Sequence, residues 1–182
     1  MRVPTTDLVG NPGASRELVR AVGRDAFGED PWGPADEALA DPLELDLHLD
    51  SVVDGILVRG ELRFGLEMPC ARCLAPQRVE RTVPVTELFL DPAKREDDDE
   101  EDPGYELVDE ATAIDLTTLV RDAVVIDLPT RVLCRDDCQG LCPTCGADRN
   151  VTDCGHGEES DPDPRWAKLA ELDLPADTDQ RS

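Results

Sequence analysis

The seven cysteines of this chain fall in two places, and the spacing of the second group is its strongest chemical signal. Cys134, Cys138, Cys142 and Cys145 lie within twelve residues, in Cys134-Arg-Asp-Asp-Cys138-Gln-Gly-Leu-Cys142-Pro-Thr-Cys145-Gly, and Cys154 follows nine positions later, beside Gly155 and His156. Cys134 and Cys138 are four apart, so one helical turn sets their Cβ atoms about 5–6 Å from each other. Gly140 can close that turn in a left-handed conformation. In Cys142-Pro143-Thr144-Cys145-Gly146 the proline fixes one dihedral, and the glycine permits a reversal after the second sulfur. Four thiolates around tetrahedral Zn²⁺, at about 2.3 Å each, form a closed structural site with no open position for a substrate. The expected ligands are Cys134, Cys138, Cys142 and Cys145, with Cys154 and His156 able to replace Cys134 or Cys138. An odd cysteine count, and no apolar leader in Met1-Arg2-Val3-Pro4, argue against a disulfide framework and predict a reducing, cytoplasmic setting.

The first pair, Pro69-Cys70-Ala71-Arg72-Cys73-Leu74, stands between two runs of period two. Ile56, Val58, Gly60, Leu62, Phe64, Leu66 and Met68 share one face, with Arg59, Glu61, Arg63 and Glu67 on the other. That alternation predicts a long half-buried strand. Val79, Val83, Val85 and Phe89 predict a second strand, which Pro84 assigns to a sheet edge. A CxxC at the tip between strands supplies two ligands and needs two more; Cys142 and Cys145 could provide them, making Cys70 and Cys73 alternative ligands. The same pair could also be a plain hairpin turn or a redox dithiol, although it lacks the strand-to-helix setting of thioredoxin-like motifs.

The elements that must position these sulfurs follow from pattern. Residues 1–34 read as an irregular lead-in with one short helix near Glu17 to Val22. Residues 35–90 read as a β-rich core of three to five antiparallel strands, in which Leu43, Leu45, Leu47 and Leu49 alternate with Glu44, Asp46, His48 and Asp50. Residues 91–111 contain seven consecutive acids, at 96–102, and read as a self-repelling linker. Residues 112–156 carry a helix capped by Asp115, with Leu116, Leu119, Val120, Ala123 and Val124 at helical spacing, ended by Leu128-Pro129 and followed by the cysteine-rich segment. Residues 157–182 form a tail with a short amphipathic piece around Asp163-Pro164-Arg165-Trp166, Leu169 and Leu172. The expected fold class is α+β: an antiparallel sheet with one packed helix and a C-terminal zinc-knuckle-like segment.

Charge bounds the partners. With 42 acidic and 18 basic residues the formal net charge is −24, which repels phosphate backbones and attracts basic proteins. The local exception is Arg59, Arg63, Arg72, Arg78 and Arg81, five arginines against three glutamates, which is where RNA contact is expected if any occurs. No apolar run reaches the roughly 18 residues of a membrane span. There is no phosphate loop or nucleophile elbow, and only two histidines, so no enzymatic activity is expected.

Taken in order, Asn11-Pro12-Gly13-Ala14-Ser15-Arg16-Glu17, Leu43-Glu44-Leu45, Cys70-Ala71-Arg72-Cys73-Leu74, the acidic break, the helix from Asp115 to Pro129, Cys138-Gln-Gly-Leu-Cys142-Pro-Thr-Cys145-Gly146 and Asp163-Pro164-Arg165-Trp166 resemble the bacterial YceD family of large ribosomal RNA subunit accumulation proteins. The resemblance implies a role in producing or maintaining large-subunit ribosomal RNA, without an assigned enzymatic activity. It also implies a shared site at Cys70 and Cys73 and a branch-specific metal site from Cys134 to Cys145. Combined with the acidic charge, it favours a basic ribosomal protein as partner over direct RNA contact. A zinc-stabilised adaptor unrelated to the ribosome, or a CxxC thiol redox protein, are the alternatives.

Overall fold

The structure, a computed structural model, describes residues 1–91, 112–156 and 165. The acidic run at 96–102 lies outside them, as does the tail piece at 163–172 apart from Arg165. The chain divides into two compact units, Met1–Cys138 and Gln139–Ser182.

The first unit is built on a four-stranded antiparallel sheet in the order β2 (Ser15–Val22), β3 (Leu39–Val52), β4 (Gly55–Pro69), β5 (Pro76–Leu90). A two-stranded ribbon pairs β1 (Arg2–Pro4) with β6 (Ala113–Asp115). Alternation along β3 and β4 decides the inner face: Leu43, Leu45, Leu47, Leu49, Ile56, Val58, Leu62, Phe64 and Leu66 are buried in one cluster. The intervening Glu44, His48, Arg59, Glu61, Arg63 and Glu67 are exposed on the other face. Pro84 lies in β5, whose one strand partner among the described residues is β4, so its missing N–H costs the ladder nothing, as an edge position requires.

Helix α2 (Thr117–Ile126) covers the inner face through Leu116, Val120 and Val124, all fully buried. Its start is fastened by Asp115, whose Oδ1 accepts the Thr117 backbone N–H at 2.9 Å. Its end carries Asp127, a carboxylate at the negative end of the helix dipole. Arg81 on β5 offsets this with two bonds, Nε to Oδ2 at 2.5 Å and Nη2 to Oδ1 at 2.7 Å, and so ties the helix to the sheet.

Two expectations for residues 1–34 are corrected. Glu17 to Val22 is not a helix: Ser15–Val22 is a strand whose eight residues all pair with β3. Leu18 and Val22 fit a helical stripe as well as a strand, and the free edge of β3 supplies backbone partners that decide between them. Nor is the segment irregular. A 3₁₀ turn (Arg24–Phe27) buries Phe27, α1 (Pro34–Ala38) buries Ala35 and Ala38, and Trp32 is buried in the link between them, with the Arg24 guanidinium 4.5 Å above its ring.

Gly60 in the middle of β4 has φ 153°, and a Cβ there would lie 2.1 Å from the Asp46 carbonyl oxygen. Gly60→Ala is expected to cost about 3 kcal/mol or more, because rigid sheet backbone must move, and chemical denaturation measures it. Asp127 is held below the usual carboxylate range, chiefly by the Arg81 hydrogen bonds. A group depressed on folding stabilises above its unfolded pKa and loses that contribution as pH falls through the folded value. Asp127→Asn should therefore lower stability at neutral pH by about 0.5–1 kcal/mol, and the difference from the parent should vanish below about pH 3 in denaturation midpoints.

Candidate metal centre

The β4–β5 hairpin ends in a knuckle that follows from its sequence. Cys70 N–H donates to the Ala75 carbonyl at 2.8 Å, and Leu74 N–H donates to the Cys70 carbonyl at 2.9 Å. The closing residue, Leu74, is left-handed at φ 62°. The second unit repeats the same pattern. Cys142 N–H bonds the Ala147 carbonyl at 2.8 Å, Gly146 N–H bonds the Cys142 carbonyl at 2.8 Å, and Gly146 is left-handed at φ 74°. The two hexapeptides, Cys70-Ala-Arg-Cys73-Leu-Ala75 and Cys142-Pro-Thr-Cys145-Gly-Ala147, share both cysteines and the final alanine. That internal likeness was the available signal for a repeated ligand loop, and spacing alone did not bring it out.

Each knuckle aims backbone N–H groups at its sulfurs. The N–H groups of Cys73 and Arg72 hold the Cys70 thiol down to about 6, and those of Cys145 and Thr144 hold Cys142 down to about 6, in each case against the effect of burial. Cys73 receives the Ala75 N–H, but burial and the Cys70 and Cys138 sulfurs outweigh it and raise the thiol. Cys145 is raised in the same way: the Ala147 N–H favours its thiolate, while Cys142, burial and Cys154 together oppose it more strongly. Cys134, penalised by burial and then by the neighbouring sulfurs of Cys138, Cys73 and Cys70, is pushed up to about 12.

All seven cysteines lie among the described residues and none is bridged by a disulfide; they gather into two clusters. In the first unit Cys70, Cys73, Cys134 and Cys138 bring their sulfurs within 4.8 Å of one another; in the second, Cys142, Cys145, Cys154 and His156 do the same with their ligand atoms. The expected quartet of Cys134, Cys138, Cys142 and Cys145 is thus divided, each half completed by residues held as alternatives. The physical reason lies in the two return paths. After α2 the chain runs back past the hairpin tip, where Ala71 N–H bonds the Val132 carbonyl at 2.8 Å, and this sets Cys134 and Cys138 against the first knuckle. Cys134 and Cys138 are carried by a turn, with Cys138 N–H on the Arg135 carbonyl at 3.2 Å, rather than by the expected helical turn. In the second unit Asp148 Oδ1 accepts both the N–H and the side-chain amide of Asn150, at 2.8 and 2.7 Å. Asn150 Oδ1 in turn accepts the Gln139 N–H at 2.8 Å, and Arg149 N–H bonds the Gly140 carbonyl at 2.9 Å. That bracing returns the loop bearing Cys154 and His156 to the second knuckle.

Both donor sets fit a metal ion. A tetrahedron with bonds of about 2.3 Å has sulfur–sulfur edges of about 3.8 Å. Cys70 to Cys138 is 3.9 Å and Cys73 to Cys134 is 3.6 Å, near that edge and far from a covalent bridge. The first cluster offers four sulfurs, three on buried residues; the second offers three sulfurs and an imidazole.

The arginines proposed for RNA contact are engaged within the first unit. Arg72 Nη1 donates to the Asp136 and Cys138 carbonyls at 3.0 and 2.9 Å, bracing the knuckle against the ligand turn. Arg59 pairs with Asp50 at 2.7 Å, Arg63 with Glu61 at 3.1 Å, Arg78 with Glu80 at 2.7 Å, and Arg81 with Asp127. The sequence showed their number but not these partners.

Fold and clusters together define a class: antiparallel-sheet proteins with cysteine knuckles suited to structural metal. Residues 58–173 match the family described as Large ribosomal RNA subunit accumulation protein YceD, and the chain belongs to that family. Over 131 residues it is 45% identical to uncharacterised proteins of Mycobacterium tuberculosis (strain ATCC 25618 / H37Rv) and Mycobacterium bovis, covering 71% of this chain and 61% of theirs. An uncharacterised protein of Mycobacterium leprae is 37% identical over 135 residues, covering 74% of this chain and 60% of that one. The chain therefore spans about three fifths of the length of these curated relatives. No solved structure matches it.

Metal uptake must displace the protons that Cys73, Cys134 and Cys145 retain at neutral pH. Zinc titration is therefore expected to release protons, and apparent affinity should fall roughly tenfold per pH unit for each one displaced, between about pH 8 and 6.5. A pH-stat titration checks both. Leu74→Gly relieves a left-handed leucine that is 62% exposed and should stabilise the chain by about 0.5–1 kcal/mol, read from denaturation midpoints.

Proposed function

We propose that this protein is a non-enzymatic, cytoplasmic factor that supports accumulation or assembly of large-subunit ribosomal RNA, shaped by two structural zinc ions and acting through a basic ribosomal protein. The family match carries the ribosomal part of this reading. Zinc is supported by the donors: four soft sulfurs in one cluster and three with an imidazole in the other, at spacings suited to tetrahedral coordination. Four protein ligands leave no position for a substrate, which supports a holding role rather than a catalytic one. When bound, zinc would supply a rigid cross-link. The chain's own residues do the rest: Arg72 braces the hairpin tip, and Asp148 and Asn150 set the second ligand loop.

A basic protein partner is supported by a net charge of −24 and by the engagement of Arg59, Arg63, Arg72, Arg78 and Arg81 with internal acceptors. Among the described residues no helix is long and apolar enough to cross a membrane. Depletion is expected to lower large-subunit ribosomal RNA, measured by gradient profiles, and tagged protein should retain basic large-subunit proteins after nuclease treatment. Loss of every partner with the RNA would favour direct RNA contact, and unchanged ribosomal RNA would favour an unrelated zinc adaptor. Disulfide exchange by Cys70 and Cys73 in the zinc-loaded protein would favour a redox role.

A further inference from the structure

The two clusters share a knuckle but differ in access. Cys70, Cys73 and Cys138 of the first are buried, whereas in the second Cys145 and His156 are exposed and Cys154 is half-buried. A cavity of about 560 Å³ opens beside the second, lined along one side by Thr152, Asp153, Cys154, Gly155 and His156. Val151, Thr152 and Asp153, which lead into Cys154, are exposed, and Val151 is 80% so. A small solute can thus reach Cys154 from the cavity it lines and Cys145 from the surface on which it is exposed, while Cys142 is buried. Among sulfurs, oxidation follows thiolate character and access, and metal ligation keeps a sulfur in its thiolate form.

We propose that Cys145 is a site of oxidation by hydrogen peroxide, and that its disulfide with Cys154 dismantles the second metal cluster while the first stays intact. The proposal rests on the zinc reading above. In the first step the Cys145 thiolate attacks one peroxide oxygen; a sulfur–oxygen bond forms, the oxygen–oxygen bond breaks, and the departing hydroxide takes a proton to become water. In the second, the Cys154 thiolate attacks the Cys145 sulfur; the disulfide forms, the sulfur–oxygen bond breaks, and the second oxygen leaves as hydroxide and becomes water with another proton. Two thiolates are oxidised by two electrons and one peroxide is reduced to two waters. The ligand atoms of this cluster lie within 4.8 Å of one another, so the sulfurs close to the bonding distance of about 2.05 Å by a small shift of the exposed loop. Cys142 and His156 then remain as two ligands, too few to hold the ion.

The test uses the full-length, zinc-loaded protein. Metal content is measured first: two ions per chain is the expected value, and fewer than two overturns the zinc reading itself and this proposal with it. Peroxide is then added, with zinc release followed by a chromogenic chelator and thiols mapped by differential alkylation and mass spectrometry. One equivalent should leave about tenfold faster than the other, with Cys145 and Cys154 joined and Cys70, Cys73, Cys134 and Cys138 still reduced. Cys145→His keeps a ligand but removes the reacting sulfur; it should retain two ions and lose the fast phase. Equal release from both clusters, earlier oxidation of the first, or a fast phase that survives in Cys145→His would each overturn the proposal while leaving two structural zinc ions in place.

Discussion

The meeting of Cys70 and Cys73 with Cys134 and Cys138 is the constraint on which the first unit depends. It joins positions 68 and 61 residues apart in sequence, Cys70 to Cys138 and Cys73 to Cys134, and spans everything between β5 and the end of α2. Closing a loop of that length removes on the order of 4 kcal/mol of chain entropy from the unfolded state if the clasp is as firm as a covalent one. The length of the hairpin and the path after α2 both serve this meeting. So does Arg72, whose guanidinium holds two carbonyls of the ligand turn. An arginine in a CxRC motif is thereby explained by architecture.

The two knuckles show one backbone solution reached with different side chains. Each needs a left-handed residue after its second cysteine; Gly146 adopts it freely, while Leu74 adopts it at a steric cost and remains exposed. Their hydrogen bonds to sulfur match, yet their settings diverge. The first knuckle is enclosed at the end of a packed sheet, and the second is held by a short loop braced through Asp148 and Asn150. A mostly buried ligand cluster and a more exposed one therefore coexist in a single chain.

The ribosomal role proposed above sets an electrostatic question for a chain with a net charge of −24. The exposed face of the large sheet carries Glu17, Glu44, Glu61, Glu67 and Glu80 among its arginines, and those arginines are neutralised at home. Each pair cancels its carboxylate along with its arginine, so the net charge of this face comes from the excess of acids over arginines, Glu17 and Glu44 among them. On the proposed reading, a polycationic ribosomal protein would meet there the same sign of charge that it meets on RNA.

Much of the fold was legible in the sequence. Alternation from Leu43 to Leu49 and from Ile56 to Met68 determined two strands and their inner faces, because period two with one buried face has a single register. Pro84 determined an edge, and the stripe from Leu116 to Val124 determined a helix and the side it buries. The cysteine spacing determined that metal chemistry was at stake, and two of the eventual pairs, Cys134 with Cys138 and Cys142 with Cys145, were visible as neighbours. Only tertiary structure decided how those pairs combine, because the partner of a knuckle is chosen by where a hairpin tip and a returning chain come together in space. It likewise decided that Glu17 to Val22 is a strand, since the free edge of β3 outweighs a weak local preference. It decided as well that the five arginines are spent on internal acceptors, because a charge count along a chain does not record which carboxylates and carbonyls fold back within reach.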